Sequence, residues 1–225
     1  MSSNTQWRGV PLPRGRHRLP AATVRASQRA RIVRAMLECV ARDGYEATTV
    51  PQVVATARVS RNSFYEFFQD KADCFIAVTD ETSQELLTEL LALTEEPDWI
   101  HAMRKGTERY LRWWQDRPAI ASAYLVFLPT VGTRAVQQRE RHYEAFRVMF
   151  AELGRRARSE QPDLDPLSPL VPRVLVAAIT EIVAQEVREG RSSMLTQLTD
   201  DVALLAIRLL ADDATAKRAK RGWAA

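Results

Sequence analysis

Ser60, Arg61, Asn62 and Ser63 stand in a row ahead of Phe64 and Tyr65, and the middle two carry chemistry suited to a base edge. An arginine fork pairs with O6 and N7 of guanine, and an asparagine amide pairs with N6 and N7 of adenine. They do so from the start of a helix laid in the major groove. A second set of residues is cationic. Arg14, Arg16 and Arg18 lie between Pro13 and Pro20 in the stretch PRGRHRLP, and the negative potential of a narrow A·T-rich minor groove draws in arginine. Gly15 lets such a ribbon approach the groove floor, and prolines keep it extended. A basic tail that touches phosphates without choosing a groove has the same composition. A third set is aromatic and soft. Trp99, Met103, Tyr110, Trp113, Tyr124, Phe127, Tyr143 and Phe146 are concentrated within residues 99–149, with His142 as a polar member. These suit a cavity for a flat or apolar small molecule, and aromatics at helical spacing suit a packed core as well.

The segments that have to hold these residues read as helices. Ile32, Val33, Met36, Leu37 and Val40 recur at three- and four-residue steps and predict a helix over about 21–42, with Pro20 in its first turn and Gly44 at its end. Thr48 or Thr49 caps a short helix that has Pro51 in its first turn and Val53 and Val54 on its buried face. Ser60 caps another, with Phe64 and Phe68 four apart on the inner side. Asp70 caps a third, with Asp73 in a capping-box-like position. Two short helices joined by a tight turn and packed on a longer one read as a helix-turn-helix. Residues 72–213 read as a helical bundle, with helices over about 70–93, 98–116, 118–129, 133–158, 170–189 and 194–211. The fold class is therefore all-α, a helix-turn-helix domain followed by a bundle. The last twelve residues, ATAKRAKRGWAA, show no core face and are expected to be a disordered basic tail.

Charge separates these regions. Residues 1–71 carry 12 Lys/Arg against 5 Asp/Glu, whereas residues 72–213 carry 16 against 23. A basic front on an acidic body fits a chain whose front meets a polyanion, although charge blocks also serve simply to solvate a surface. Hydrophobic residues make up 46% of the 225, enough for a real core. Cys39 and Cys74 offer no disulfide framework, which points to a reducing, cytoplasmic compartment. No apolar run reaches the ~18 residues of a membrane span, and no signal-peptide core is present. No glycine-rich phosphate loop, nucleophile elbow or metal-spaced cluster appears, so neither an enzyme nor a cofactor or metal site is expected.

The run RIVRAMLECVARDGYEATTVPQVVATARVSRNSFYEFFQDKADCF, within about residues 27–80, resembles the DNA-binding region of the tetracycline-repressor (TetR) family. The resemblance rests on Gly44–Tyr45, the Thr48–Thr49 pair, Val59–Ser60, Phe64–Tyr65, Phe68 and Lys71. It implies an all-helical homodimer that binds a palindromic operator on double-stranded DNA. The family's members usually repress transcription and are released by a small-molecule effector held in the C-terminal region. It implies base contacts from Arg61, Asn62 and Ser63, next to the Ser60 cap, and phosphate contacts from Thr49, Tyr65 and Lys71. Two positions depart from the family pattern. Arg58 stands where glycine is usual, so either the turn differs or Arg58 accepts a strained conformation and adds a phosphate contact. Phe67 stands where histidine is common, and it either packs or meets the sugar edge of DNA. Arg14-Gly15-Arg16 resembles the core of an AT-hook, with His17 in place of the usual proline.

The expected division is an arm over 1–20, a helix-turn-helix domain over 21–71, an effector and dimerisation domain over 72–213, and the tail over 214–225. The stripes Val174, Leu175, Ala178, Ile182 and Leu198, Val202, Leu205, Leu209 fit a dimer interface or the chain's own core, and the resemblance favours the dimer. The competing class is an effector-independent architectural or nucleoid-type DNA binder.

Overall fold

The computed structural model describes residues 20–92 and 96–223, and no strand occurs among them. The described residues fall into two compact units, the first ending at Val78 and the second beginning at Thr79.

In the first unit, α1 (Ala21–Asp43) packs on α2 (Val50–Ala57) and α3 (Arg61–Tyr65), and α4 (Lys71–Leu91) follows. Pro20 caps α1 from one position outside it, with φ −50° and ψ 137°. Gly44 ends α1 with φ 80°, its N–H donating to the Val40 carbonyl at 2.9 Å. The core is the buried face predicted from periodicity: Ile32, Met36 and Val40 with Val53, Phe64 and Phe75. Of the two candidate caps, Thr49 takes the role. Its hydroxyl accepts from the Gln52 N–H, while the Gln52 side chain accepts from the Thr49 N–H at 2.7 Å. Thr48 is buried instead and donates to the Gly44 carbonyl at 2.8 Å. Asp70 accepts from the Asp73 N–H at 2.6 Å, and Asp73 accepts from the Gln69 N–H at 3.0 Å. The Asp70 cap is thus present at the head of α4, and the Asp73 carboxylate reaches back to the residue before that cap.

In the second unit, α5 (Trp99–Gln115) is capped by Asp98, which accepts from the His101 N–H at 2.8 Å. The segment expected as one helix over 118–129 has three geometries. α6 (Pro118–Ala121) widens into a π-helical turn, Ser122–Phe127, and tightens into a 3-10 turn, Leu128–Thr130. α7 (Thr133–Glu160), α8 (Val171–Arg188), a 3-10 segment (Ser192–Leu198) and α9 (Thr199–Leu210) follow. Their core joins Trp99, Phe150, Leu175, Val202, Ile207 and Leu210.

The expected disordered tail is a correction. Residues Asp213–Trp223 form α10, which packs on α9 and buries Thr215, Ala216 and Ala219. The Asp212 carboxylate accepts from the Thr215 N–H at 2.6 Å, and the Arg104 guanidinium lies 5.0 Å from the centre of the Trp223 ring. The docking stripe is small residues, which let two helices approach closely but contribute little to an apolar search. No helix among the described residues is long and apolar enough to cross a membrane.

Candidate nucleic-acid interface and interior cavity

Local bonds build the start of α3. Ser60 has extended backbone, and its hydroxyl accepts from the Ser63 N–H at 3.0 Å. The Ser63 hydroxyl is 2.9 Å from that of Ser60, so both serines serve the cap. Phe64 is fully buried and fixes the rotation of the helix. Arg61 and Asn62 consequently face solvent. Tyr65 is 49% exposed, its ring set edge-on to Phe64. Arg58 adopts the left-handed conformation, φ 54° and ψ 49°, as the C-cap of α2. A non-glycine residue there costs about 1–2 kcal/mol. The family's glycine position is therefore a true left-handed position, and Arg58 accepts the strain. Its carbonyl accepts from Arg31 Nη1 at 3.4 Å, and its side chain is exposed.

Other cations of this unit are turned onto its own surface. The Lys71 ammonium donates to the Tyr45 carbonyl at 2.9 Å and sits 4.1 Å from the centre of that ring. Lys71, expected at a phosphate, thus holds the chain after α1. Arg25 lies over the half-buried Phe67 at 5.1 Å and 3.5 Å from Glu66, and Arg29 lies over Phe68. Phe67 packs. Of the expected contacts, Thr49, Arg58, Ser60, Arg61, Asn62 and Tyr65 are exposed and Ser63 is half-buried. Arg14, Arg16 and Arg18 lie outside the described residues.

The second unit holds a cavity of about 150 Å³. Its wall draws Ser83, Leu86 and Leu90 from α4, and Met103, Thr107, Tyr110 and Trp114 from α5. Tyr124 comes from the π-helical turn, Tyr143, Phe146 and Met149 from α7, and Val176, Ile179 and Thr180 from α8. Of the residues expected here, Met103, Tyr110, Tyr124, Tyr143 and Phe146 line it. The other four do not. Trp99 is fully buried in the core with α9 and α10. Trp113 is one residue, about 100°, off the α5 stripe, set edge-on to Trp114 and covered by Arg117 at 4.5 Å. Phe127 is half-buried at the end of the π-helical turn. His142 is off the α7 stripe and bonds Tyr124 and Asp80 behind the wall. Burial pushes the Tyr110, Tyr124 and Tyr143 phenols all upward, so each enters the cavity as a neutral hydroxyl. The lining cation Arg156 donates to Glu160 at 2.7 Å and to the Glu96 carbonyl at 2.6 Å.

Residues 32–78 match the family model described as bacterial regulatory proteins, tetR family. The first unit thus carries a tetR-family segment. Solved structures share the fold across both units. The fatty acid degradation regulator FadR from Bacillus halodurans superposes with a TM-score of 0.74 at 17% identity, over 80% of this chain and 94% of that one. FadR from Bacillus subtilis, solved in complex with stearoyl-CoA, gives 0.73 at 16% identity, over 80% and 97%. SmeT, the repressor of the Stenotrophomonas maltophilia multidrug efflux pump SmeDEF, gives 0.66 at 18% identity, over 80% and 88%. A search of curated proteins by sequence finds no match.

Within the second unit, sequence reasoning named His142 and Tyr124 but not their polar partners behind the cavity. His142 is 7% exposed, its Nδ1 lies 3.1 Å from the Tyr124 hydroxyl and its Nε2 lies 2.8 Å from Asp80 Oδ1. The Gln138 amide also bonds Asp80 Oδ1. Asp80, Ser83 and Gln138 were not singled out as site residues. Ser83 carried a usable signal, a small polar residue one turn ahead of Leu86 and Leu87 on the apolar stripe of α4.

Proposed function

We propose that this regulator represses transcription as a homodimer on a palindromic operator, and that a small, largely apolar molecule entering the cavity releases it. The observation that carries the reading is α3. It presents Arg61 and Asn62 outward, with no hydrogen bond to either side chain among the described residues, beside Tyr65 and a strained Arg58 that adds a cation at the turn. Residues of these types on the first turn read guanine and adenine edges. Thr49, Ser60 and Ser63 stand at the same helix ends, where hydroxyls reach phosphates.

Support for an effector comes from the cavity, which is apolar apart from a few hydroxyls and the charged Glu152 and Arg156, and from the acyl-CoA complex of the Bacillus subtilis relative. About 150 Å³ holds a molecule near the size of benzene, so the buried part of the ligand is smaller than an eighteen-carbon chain. Support for the dimer comes from α8, where Leu170, just before the helix, is 58% exposed and Val174 is 47% exposed, with Ala177 on the same side. α9 gives most of its apolar residues to its own chain. A two-fold pairing of α8 with its copy buries that stripe and sets two α3 helices on one duplex. Arg14, Arg16 and Arg18 would then read A·T-rich flanks from the minor groove.

Mapping of bound DNA across the genome, followed by footprinting, tests the reading. Discrete palindromic sites are expected, and Asn62→Ala should cost about 1–3 kcal/mol and relax preference at one base pair per half-site. Graded, salt-dominated coverage without discrete sites would instead mark an architectural protein. Sedimentation should show a dimer that Val174→Glu converts to monomer. Removing residues 1–19 should abolish a preference for A·T-rich over G·C-rich flanks while leaving central specificity intact.

A further inference from the structure

We propose that the cavity selects a neutral ligand that donates a hydrogen bond to the Tyr124 phenol oxygen, an alcohol or a phenol rather than an ether or a carboxylate. The proposal rests on the effector reading above and names the chemistry of its ligand.

The argument follows the protons. The carboxylate of Asp80 accepts hydrogen bonds and does not donate them. Its Oδ1 lies 2.8 Å from His142 Nε2, so that ring nitrogen carries the hydrogen. The Gln138 amide nitrogen, 3.1 Å from the same ring nitrogen, also donates to Asp80 and does not compete for a lone pair on the imidazole. In the neutral ring Nδ1 is then a bare acceptor. Tyr124 Oη lies 3.1 Å from it, so the phenol hydrogen points at His142. Tyr124 has one hydrogen, and it is committed. Toward the cavity, which Tyr124 lines at 4% exposure, its oxygen offers lone pairs alone.

Ser83 completes the polarity. It lines the same wall and is 5% exposed, and its hydroxyl pulls the Tyr124 phenol partly back from the upward push of burial. A ligand hydroxyl is both donor and acceptor, so it can give its hydrogen to Tyr124 while Ser83 turns its one hydrogen from the Tyr124 oxygen to the ligand's. An ether cannot satisfy Tyr124. A carboxylate meets a lone pair there with the Asp80 charge behind it, and Arg156, which lines the cavity, is already bonded to Glu160 and Glu96. The remaining wall, Leu86, Met103, Trp114, Phe146 and Ile179, asks for an apolar body.

Four probes of one ring size decide it: phenol, anisole, toluene and benzoate, titrated calorimetrically into the full-length protein. Water holds phenol more strongly than anisole or toluene, so apolar burial alone ranks phenol behind both. The expected result is phenol about fivefold tighter than anisole, the worth of one net hydrogen bond, with benzoate weakest. In Tyr124→Phe the order should become toluene, anisole, phenol, and in Ser83→Ala the phenol advantage should shrink. If Tyr124→Phe does not fold, the order in the natural protein and the Ser83→Ala change decide the matter. Anisole or benzoate matching phenol in the natural protein would overturn the donor rule and leave the effector reading standing. Failure of all four to bind would overturn the effector reading and the donor rule with it.

Discussion

In the first unit the residues proposed to meet DNA lie between Thr49 and Tyr65, and partners a few positions away set the helix ends that carry them. Thr49 is held by Gln52, Ser60 by Ser63, and Arg58 by the backbone of α2. In the second unit the cavity wall runs from Ser83 to Thr180 and needs α4, α5, α7, α8 and a π-helical turn in register. The contrast teaches where specificity is stored. A DNA-reading turn is specified by bonds spanning three or four residues and changes little when a distant residue changes. A cavity depends on the rotation of every helix around it, and a π-helical turn, a geometry frequent at functional sites, is what brings Tyr124 into this one.

The comparison breaks most sharply at Phe64, the buried residue of α3. Phe64→Ala is expected to cost about 3–5 kcal/mol, a large share of a domain's stability. Urea unfolding should show that loss together with abolished operator binding; a cost under about 1 kcal/mol would mean local caps alone hold α3. Next is Asp80→Ala, which strands the His142 Nε2 hydrogen in a buried position at a cost of about 1–3 kcal/mol. Tryptophan fluorescence during denaturation should register it, while footprints made by the protein that remains folded keep their sequence preference. Ser60→Ala removes a local cap and should cost about 1 kcal/mol, weakening binding uniformly because the helix frays rather than losing a base contact.

Arg58→Gly sharpens the comparison further, because its two effects have opposite signs. Relief of the left-handed strain should stabilise the protein by about 1 kcal/mol, while the slope of log affinity against log salt falls by up to about 0.9 for each lost phosphate contact. A melting curve and a salt titration measure the two separately. The smallest effect concerns α10. The Thr215 backbone N–H, aided by its side chain, holds the Asp212 carboxyl below its ordinary value. A carboxyl depressed in the folded state contributes stability above its unfolded value and loses it as pH falls through the folded one. α10 should therefore fray on acidification below the ordinary aspartate range, and Asp212→Asn should remove that pH step. Amide exchange over residues 213–219 would show it; no difference in that step between Asp212→Asn and the natural protein would detach α10 from its cap.

Much of the first unit was legible in sequence because its signals are short-range. The α1 stripe, the Thr49 and Ser60 caps, and the exposed Arg61 and Asn62 all follow from spacing within a turn or two. Nothing local shows that the Tyr45 carbonyl would take the Lys71 ammonium, because the two lie 26 positions apart. In the second unit, aromatic content located the cavity region but not its wall. Trp113 and Trp114 are adjacent and equally greasy, yet only Trp114 lines the cavity, since one residue along a helix turns a side chain by about 100°.

Sequence alone determined the all-α class, the helix ends in the first unit and the polar start of the reading helix, because capping and periodicity act over three or four residues. Tertiary structure alone decided which aromatics line the cavity, the contacts of His142 with Asp80 and Tyr124, and the folding of the tail onto α9. Asp80 and His142 lie 62 positions apart in the chain, and no local rule fixes the relative rotation of two helices. That rotation follows from the packing of the whole bundle, where a shift of one residue would turn His142 away from Asp80.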